Sequence, residues 1–479
     1  MPIRLYNSLT RSLVELTPRT PGVVTMYHCG PTVYSSPHIG NFRSFLFADV
    51  LRRFVEDQGY RVHQVMNVTD VGHLTQDDIE GGEDKMEAAS RKTGLTAWDI
   101  AKKYEAEFHD CQQKLSVRLP HHMPRATEYI AQMGRIIDDL LQKGVAYQTN
   151  GNVYFEVARF PGYGKLSGKV LDELEAGARV AVNEEKKDPR DFALWKVDPK
   201  HQMQWDAPFR GGVRGFPGWH IECSAMSMDL LGEQIDVHTG GEDNMFPHHE
   251  CEIAQTEAHT GKPFVSIWMH ARHLLVDGTK MSKSLGNFFT VADVLGKGYS
   301  GLELRYALVR VQYRQALNFT LKGLDEARAA IGRVQQCRQK LVRVRDGLER
   351  AGADDLVAAS RAANDAFTAA MQDDLNVSGA LAAVFDFVGV VNKAAVSVAG
   401  AKAALAVFAR ADDVLGCFGG EPKADATGDA PAELVALLGE RKAAKQRKDF
   451  AAADAIRDRI AAAGWKIVDA PTGARLERA

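Results

Sequence analysis

Between Val23 and Val68 the chain changes character in an order that few folds accept. Val23-Val24-Thr25-Met26-Tyr27-His28-Cys29 reads as a buried strand ending in the turn Gly30-Pro31. Phe42 to Asp57 then carries apolar residues at Phe42, Phe45, Leu46, Val50, Leu51 and Val55, the spacing of a helix with one buried face. Arg61 to Val68 is a second strand. Strand, turn, helix, strand predicts the start of a doubly wound parallel sheet in an α/β fold. Ligands of such sheets sit at the carboxyl ends of the strands, where Cys29, Thr69 and Asp70 fall.

A chain of 479 residues is too long for a single core. Residues 1–118 are expected to form the first half of the sheet domain. Residues 119–216 are expected to be an insertion, with a helix from Ala126 to Lys143 and short strands such as Gly151 to Phe155. The second half, 217–270, resumes at Pro217-Gly218-Trp219-His220-Ile221-Glu222-Cys223. It contains the strand Ile235 to His238, entering a turn at Thr239-Gly240-Gly241. Residues 321–418 are alanine-rich and helical in period, which suits a helical bundle. A linker at 419–432 leads to a small basic unit at 433–479, with Arg441, Lys442, Lys445, Arg447 and Lys448 on one helix.

The formal net charge of −3 shows no general affinity for nucleic acid, so such a partner needs local basic faces. No apolar stretch approaches the roughly 20 residues of a membrane span. The N-terminus lacks the apolar centre of a secretion signal. Six scattered cysteines are not a disulfide framework and suit a reducing, cytoplasmic compartment.

Two short signals carry chemistry. Pro37-His38-Ile39-Gly40-Asn41 opens the first helix, a usual place for phosphate. Far downstream, Lys280-Met281-Ser282-Lys283-Ser284 flanks small hydroxyl residues with two lysines, which suits a loop clamping a polyphosphate. Together they predict activation of a substrate with ATP. His38 is placed at the ATP phosphates, and Lys280 and Lys283 are candidates to neutralise charge on pentavalent phosphorus. A loop of His238, Gly240, Gly241 and Asp243 allows a nucleoside close approach to backbone.

Cys29, Cys223, His248 and Glu252 form a possible zinc set of two thiolates, an imidazole and a carboxylate. His248 and Glu252 are four apart and share a helix face. Spacing leaves His249, Glu250 and Cys251 as rival ligands, and plain burial of the two cysteines as the competing account.

At this point the chain resembles the cysteinyl-tRNA synthetases, class I aminoacyl-tRNA synthetases, over nearly its whole length. The resemblance is carried by Cys29-Gly30-Pro31-Thr32-Val33-Tyr34, the His38 signature, Gly218 to Met226, Phe246-Pro247-His248-His249-Glu250 and the Lys280 to Ser284 loop. Asp373-Asp374-Leu375-Asn376 and Asp454 to Asp458 are similar to the family's tRNA-binding regions. The resemblance implies a Rossmann-like catalytic domain and one zinc ion per chain on Cys29, Cys223, His248 and Glu252, where the substrate thiolate binds as an added ligand. It implies ATP contacts at His38, Asn41, Gly240, Gly241, Asp243 and Lys283, with Mg2+ accompanying ATP. Cys29, Thr69 and Trp219 are implied at the cysteine. It assigns 271–320 to the lysine loop and stem contacts, 321–418 to tRNA binding and 433–479 to the anticodon. The implied partners are ATP, L-cysteine and cysteine tRNA, met by a monomer.

Two positions depart from the family pattern: Asn41 stands where a second histidine is common, and Thr239 where glycine is common. An asparagine amide still donates a hydrogen bond. Two other readings remain: a ligase joining cysteine to an amino-sugar, which would lack the full tRNA-binding end, and a silent tRNA-binding paralogue, which would have lost His38, the lysines or the zinc ligands.

Overall fold

The computed structural model describes residues 2–72, 74–76, 81–168, 185–282, 286–421, 431–447, 449–470 and 473–478. The chain divides into two units. The first comprises Met1–Ala327, Ala369–Gly379 and Val414–Cys417; the second comprises Arg328–Thr368, Ala380–Asp413 and Phe418–Ala479.

The centre of the first unit is a four-stranded parallel sheet of β1 (Val23–His28), β2 (Arg61–Met66), β3 (Ile235–Gly241) and β4 (Val265–Ala271). Its order is β4-β3-β1-β2, and every pairing is parallel. The chain therefore leaves β1 toward β2 on one side and returns to build β3 and β4 on the other. That reversal leaves a crevice beyond the carboxyl ends of β1 and β3, the place where doubly wound sheets take ligands. Cys29 follows β1, and Gly241 ends β3. The α/β class expected from the sequence is the one observed.

Helix α1 (Ile39–Asp57) joins β1 to β2. It starts three residues before the apolar pattern does, because His38 and Asn41 cap each other reciprocally. The Asn41 N–H donates to His38 Nδ1 at 3.2 Å, and the His38 N–H donates to Asn41 Oδ1 at 3.1 Å. Its inner face is aromatic. Phe42 stacks on Phe108 with ring centroids 5.6 Å apart, and Phe45 meets both edge-on. Each such side chain contributes about 1.5–3 kcal/mol by leaving water.

Two expectations need revision. Thr239-Gly240-Gly241 is not a turn: Thr239 pairs with Met269 on β4 and with His28 on β1, so β3 continues to Gly241. Pairing with β4 through Gly241, joined by β1 at Thr239, outweighs the weak strand preference of glycine. The segment after Pro217 becomes α2 (Trp219–Leu231), so Cys223, expected beside a strand or helix end, lies inside a helix. Helix α3 (Glu250–Thr260) follows, preceded by a wider helical turn at Met245–His249 that holds His248.

Within 119–216, a short turn at Ala126–Glu128 precedes a helix at Ile130–Gln142. Four antiparallel strands follow, in the order Phe216–Pro217, Phe192–Lys196, Asn152–Phe155, Ala146–Thr149. Residues 169–184 lie outside the described residues.

Helices Leu321–Arg345, Val357–Gln372, Val377–Lys393 and Val398–Leu415 make up the alanine-rich stretch. The second and third are separated by residues 373–376, within which Asp374 and Leu375 have positive φ (58° and 51°). Those are costly conformations for such residues. The buried Asp374 carboxylate offsets the cost by accepting from the Tyr6 N–H, the Tyr313 hydroxyl and Arg314 Nε at 2.6–2.8 Å. At the C-terminal end, helices Ala432–Gln446 and Phe450–Ala462 share a small core of Leu437, Ile460, Trp465 and Leu476. The last two belong to an antiparallel strand pair, Trp465–Ala470 with Gly473–Arg478, which sequence reading did not anticipate. The linker residues 422–430 and the cation Lys448 lie outside the described residues. Among the described residues no helix is long and apolar enough to cross a membrane.

Candidate active site

The crevice at the sheet reversal is a cavity of about 450 Å³, lined by Cys29, His38, Asn41, Trp219, Asp243 and Lys280 among others. Sequence-distant residues converge there because each sits at or just beyond the end of a β-strand or at a helix start. His38 caps α1, and its ring meets Phe288 edge-on at 5.3 Å. Gly40 belongs beside it, since a Cβ there would lie 3.0 Å from His38 Nδ1. Lys280 ends a short strand, Thr279–Lys280, next to Met281 on the same wall. Lys283, expected among the catalytic and ATP-binding groups, lies outside the described residues.

The nucleotide-side candidates separate. Gly241 and Asp243 line the cavity. Gly240 turns instead to the protein interior, where a Cβ would meet His249 Cε1 at 2.6 Å. His238 is fully buried in β3. Thr239 also points away from the cavity: its hydroxyl lies 2.6 Å from His28 Nδ1. The departure at this position is thus absorbed by a buried pair.

Beneath Cys29 is a buried cluster. Ligand atoms of Cys29, Cys223, His248 and Glu252 all lie within 4.8 Å of one another. His248 Nε2 is 3.5 Å from Cys223 Sγ and 3.1 Å from Glu252 Oε1, while Cys29 Sγ is 3.6 Å from that same oxygen. A tetrahedral zinc with bonds of about 2.0–2.3 Å spaces its ligands roughly 3.3–3.8 Å apart, so small side-chain movements suffice to hold one. Among the rivals, Glu250 turns to the Ser167 N–H at 2.9 Å, and Cys251 to the Tyr163 hydroxyl at 3.5 Å. His249 remains close, with Nε2 3.2 Å from Cys29 Sγ.

The electrostatics suit a cation. Burial raises the Cys223 thiol, yet hydrogen bonds from Cys29 and His248 bring it down to about 7. Burial would raise Glu252, but His238 and His248 hold it near 2. Burial would lower His248, but Cys223 and Glu252 raise it to about 10. A carboxylate and a readily formed thiolate thus share one buried proton on His248, and a dication would replace that proton with a stronger countercharge.

The substrate candidates divide in the same way. Trp219 lines the cavity and meets His248 at a tilt of 43°, with ring centroids 4.4 Å apart. Thr69 is buried; its hydroxyl donates to Glu222 at 2.8 Å and accepts from the Asn67 side chain at 3.1 Å. Sequence reading missed Lys85, whose ammonium sits 5.7 Å from the ring centres of both Tyr34 and Trp219 at the cavity. It also missed Asn244, which accepts the Gly241 N–H at 2.9 Å. The short segment after Gly241 carried a signal for Asn244, since asparagine commonly accepts from a backbone N–H close by.

Residues 15–329 match the family described as tRNA synthetases class I (C) catalytic domain, and 366–419 match the DALR domain. The cysteine–tRNA ligase of Protochlamydia amoebophila is 41% identical over 100% of this chain and 98% of its own length. That of Thermus thermophilus is 42% identical over 100% of both. The chain belongs to the cysteine–tRNA ligase family of class I synthetases. The methionyl-tRNA synthetase of Mycobacterium tuberculosis, solved with methionyl-adenylate, shares the fold: TM-score 0.57, 15% identity, 82% of this chain and 92% of that one. In this cysteine–tRNA ligase relative the cleft opens where the sheet reverses.

Proposed function

We propose that this chain ligates L-cysteine to its tRNA through a cysteinyl-adenylate, using ATP. The observation that carries the reading is the placement of Cys29. It belongs to the four-donor cluster and also lines the cavity that holds His38 and Lys280. A thiol recognised at Cys29 would therefore lie beside groups suited to phosphate.

Cys29, Cys223, His248 and Glu252 would hold zinc, whose chemistry here is selective ligation of a thiolate over a serine hydroxyl. Pocket shape alone separates such close analogues by only about 10–200-fold. Trp219 walls the substrate side, and Thr69 hydrogen-bonds Glu222 on the same helix. The Gly241 and Asp243 segment, with Gly240 behind it, would border the adenosine. His38 and Asn41, at the start of α1, would orient the ATP phosphates, which travel with Mg2+. Lys280 and Lys283 would neutralise charge as the cysteine carboxylate attacks the α-phosphorus and pyrophosphate leaves. No protein nucleophile is required. The terminal ribose hydroxyl of tRNA then takes the cysteinyl group and releases AMP.

In this reading residues 1–118 and 217–270 are the catalytic halves, 119–216 the insertion and 271–320 the loop and stem-contact region. Residues 321–418, the linker 419–432 and the unit 433–479 serve tRNA. The enzyme works in the cytoplasm as a monomer. The match over the whole length of the relatives disfavours an amino-sugar ligase, which would lack the tRNA-binding end. His38, Lys280 and the donor cluster disfavour a silent paralogue.

The test is cysteine-dependent ATP–pyrophosphate exchange, with serine as control, elemental analysis alongside, and charging of total tRNA. Cysteine-specific exchange, one zinc per chain and stable charging are expected. Exchange without charging would replace this reading with the amino-sugar ligase, and absence of exchange with the silent paralogue.

A further inference from the structure

Below the four-donor cluster lies a second set of potential ligands. Cys29, His238, His249 and Glu252 also place one ligand atom each within 4.8 Å of all the others, and all four are buried. The two sets share Cys29 and Glu252. They differ in that Cys223 and His248 close the outer one, while His238 and His249 close the inner one.

His249 is arranged as a ligand is. His249 presents Nε2 to Cys29 Sγ at 3.2 Å. Its other nitrogen, Nδ1, shares a hydrogen bond of 2.8 Å with His270 Nε2, and His270 Nδ1 is 2.8 Å from Ser8 Oγ. An outer relay of this kind fixes the orientation and tautomer of a metal-bound imidazole. His238 Nε2 is 3.0 Å from Glu252 Oε2, the carboxylate oxygen turned away from His248. His238 Nδ1 is buried and has no hydrogen-bond partner. That leaves Nε2, the nitrogen facing the shared carboxylate, as the ring's ligand atom.

We infer that Cys29, His238, His249 and Glu252 form an inner binding site for a second divalent transition-metal ion, with Cys29 and Glu252 bridging it to the outer site. Two imidazoles, a thiolate and a carboxylate select zinc or cobalt and reject magnesium and calcium, which require oxygen ligands. The inference rests on the zinc reading only through the two shared ligands. Filling the inner site ties down Cys29 and Glu252, the two groups common to both sets. Excess zinc therefore raises the KM for cysteine.

The test uses the full chain, titrated with Zn2+ under equilibrium dialysis and elemental analysis, beside His249→Gln, His238→Gln and Cys223→Ser. For the wild type, the one zinc of the purified protein is expected as the first equivalent, and a second, weaker one is expected only under excess Zn2+. His249→Gln and His238→Gln should each weaken the second by at least about tenfold and keep the first, because losing a ligand exceeds the loss of an outer-shell partner. Cobalt X-ray absorption of the wild type at two equivalents keeps the test independent of variant folding. A metal–metal distance of about 3.5–4 Å is expected. One equivalent with no second at any zinc concentration, and Cys223→Ser abolishing it, overturns the inner site and leaves the zinc reading intact. No tight equivalent at all overturns both. A second equivalent with no metal–metal vector overturns the bridged site.

Discussion

Thr239 Oγ1 lies 2.6 Å from His28 Nδ1, joining β3 to β1 in the interior of the sheet. Both residues are fully buried. Glycine, common in the family at this position, would leave His28 Nδ1 without its partner. Thr239→Gly should therefore cost about 1–3 kcal/mol in urea unfolding, and Thr239→Ser should recover part of it. Equal stability of the three proteins would remove the pair from the account.

Cys223→Ser tests the donor cluster. A neutral hydroxyl replaces a thiol already poised near neutrality, so zinc affinity should fall by more than about 100-fold. The KM for cysteine should rise with it, and elemental analysis after dialysis reads the loss directly. Unchanged metal content would strike Cys223 from the ligand set.

Lys280→Ala and Lys283→Ala address the phosphate end. Loss of a group stabilising developing charge costs about 10²–10³ in rate. Pyrophosphate exchange should slow to that degree while cysteine affinity, measured by equilibrium binding, stays near wild type. A lysine whose removal leaves exchange untouched has no part in the chemistry.

His201 and Asp84 supply a pH signature away from the metal. His201 Nε2 lies 3.3 Å from Asp84 Oδ2, with both side chains buried. Burial lowers the imidazole pKa, but the Asp84 hydrogen bond and charge outweigh it, so the net shift is upward. A raised folded pKa contributes stability that is full below the unfolded value of about 6.5 and is lost as pH rises through the folded value. Compared with wild type, His201→Gln should be less stable by about 1.5–3 kcal/mol at pH 5.5, and the gap should close toward pH 9. A gap independent of pH would assign His201 to packing on Phe216, whose ring is 3.8 Å away.

Deleting 433–479 should spare pyrophosphate exchange and weaken tRNA charging, as two parallel assays on one preparation would show. The segment's helices and strand pair close a small core of their own, Leu437, Ile460, Trp465 and Leu476. Equal loss of both activities would make the segment a structural support.

Local pattern determined much of this molecule. Apolar periodicity placed β1, α1 and β2 within a few residues, and the two phosphate signals fall on short contiguous segments whose chemistry needs no distant partner. His248 and Glu252 were legible because four residues span one helical turn. What joins Cys29 to Cys223, 194 positions later, is the reversal of strand order, and no spacing rule encodes it. His249 was legible as a rival ligand and His238 as a loop residue, but not their meeting: His238, His249 and His270 come from β3, the turn before α3, and β4, and only parallel pairing sets them side by side. Gly240 and Thr239 read as a nucleotide turn until the ladder claimed them. Periodicity records which face of an element is buried; which buried faces meet is decided by the packing of the whole sheet.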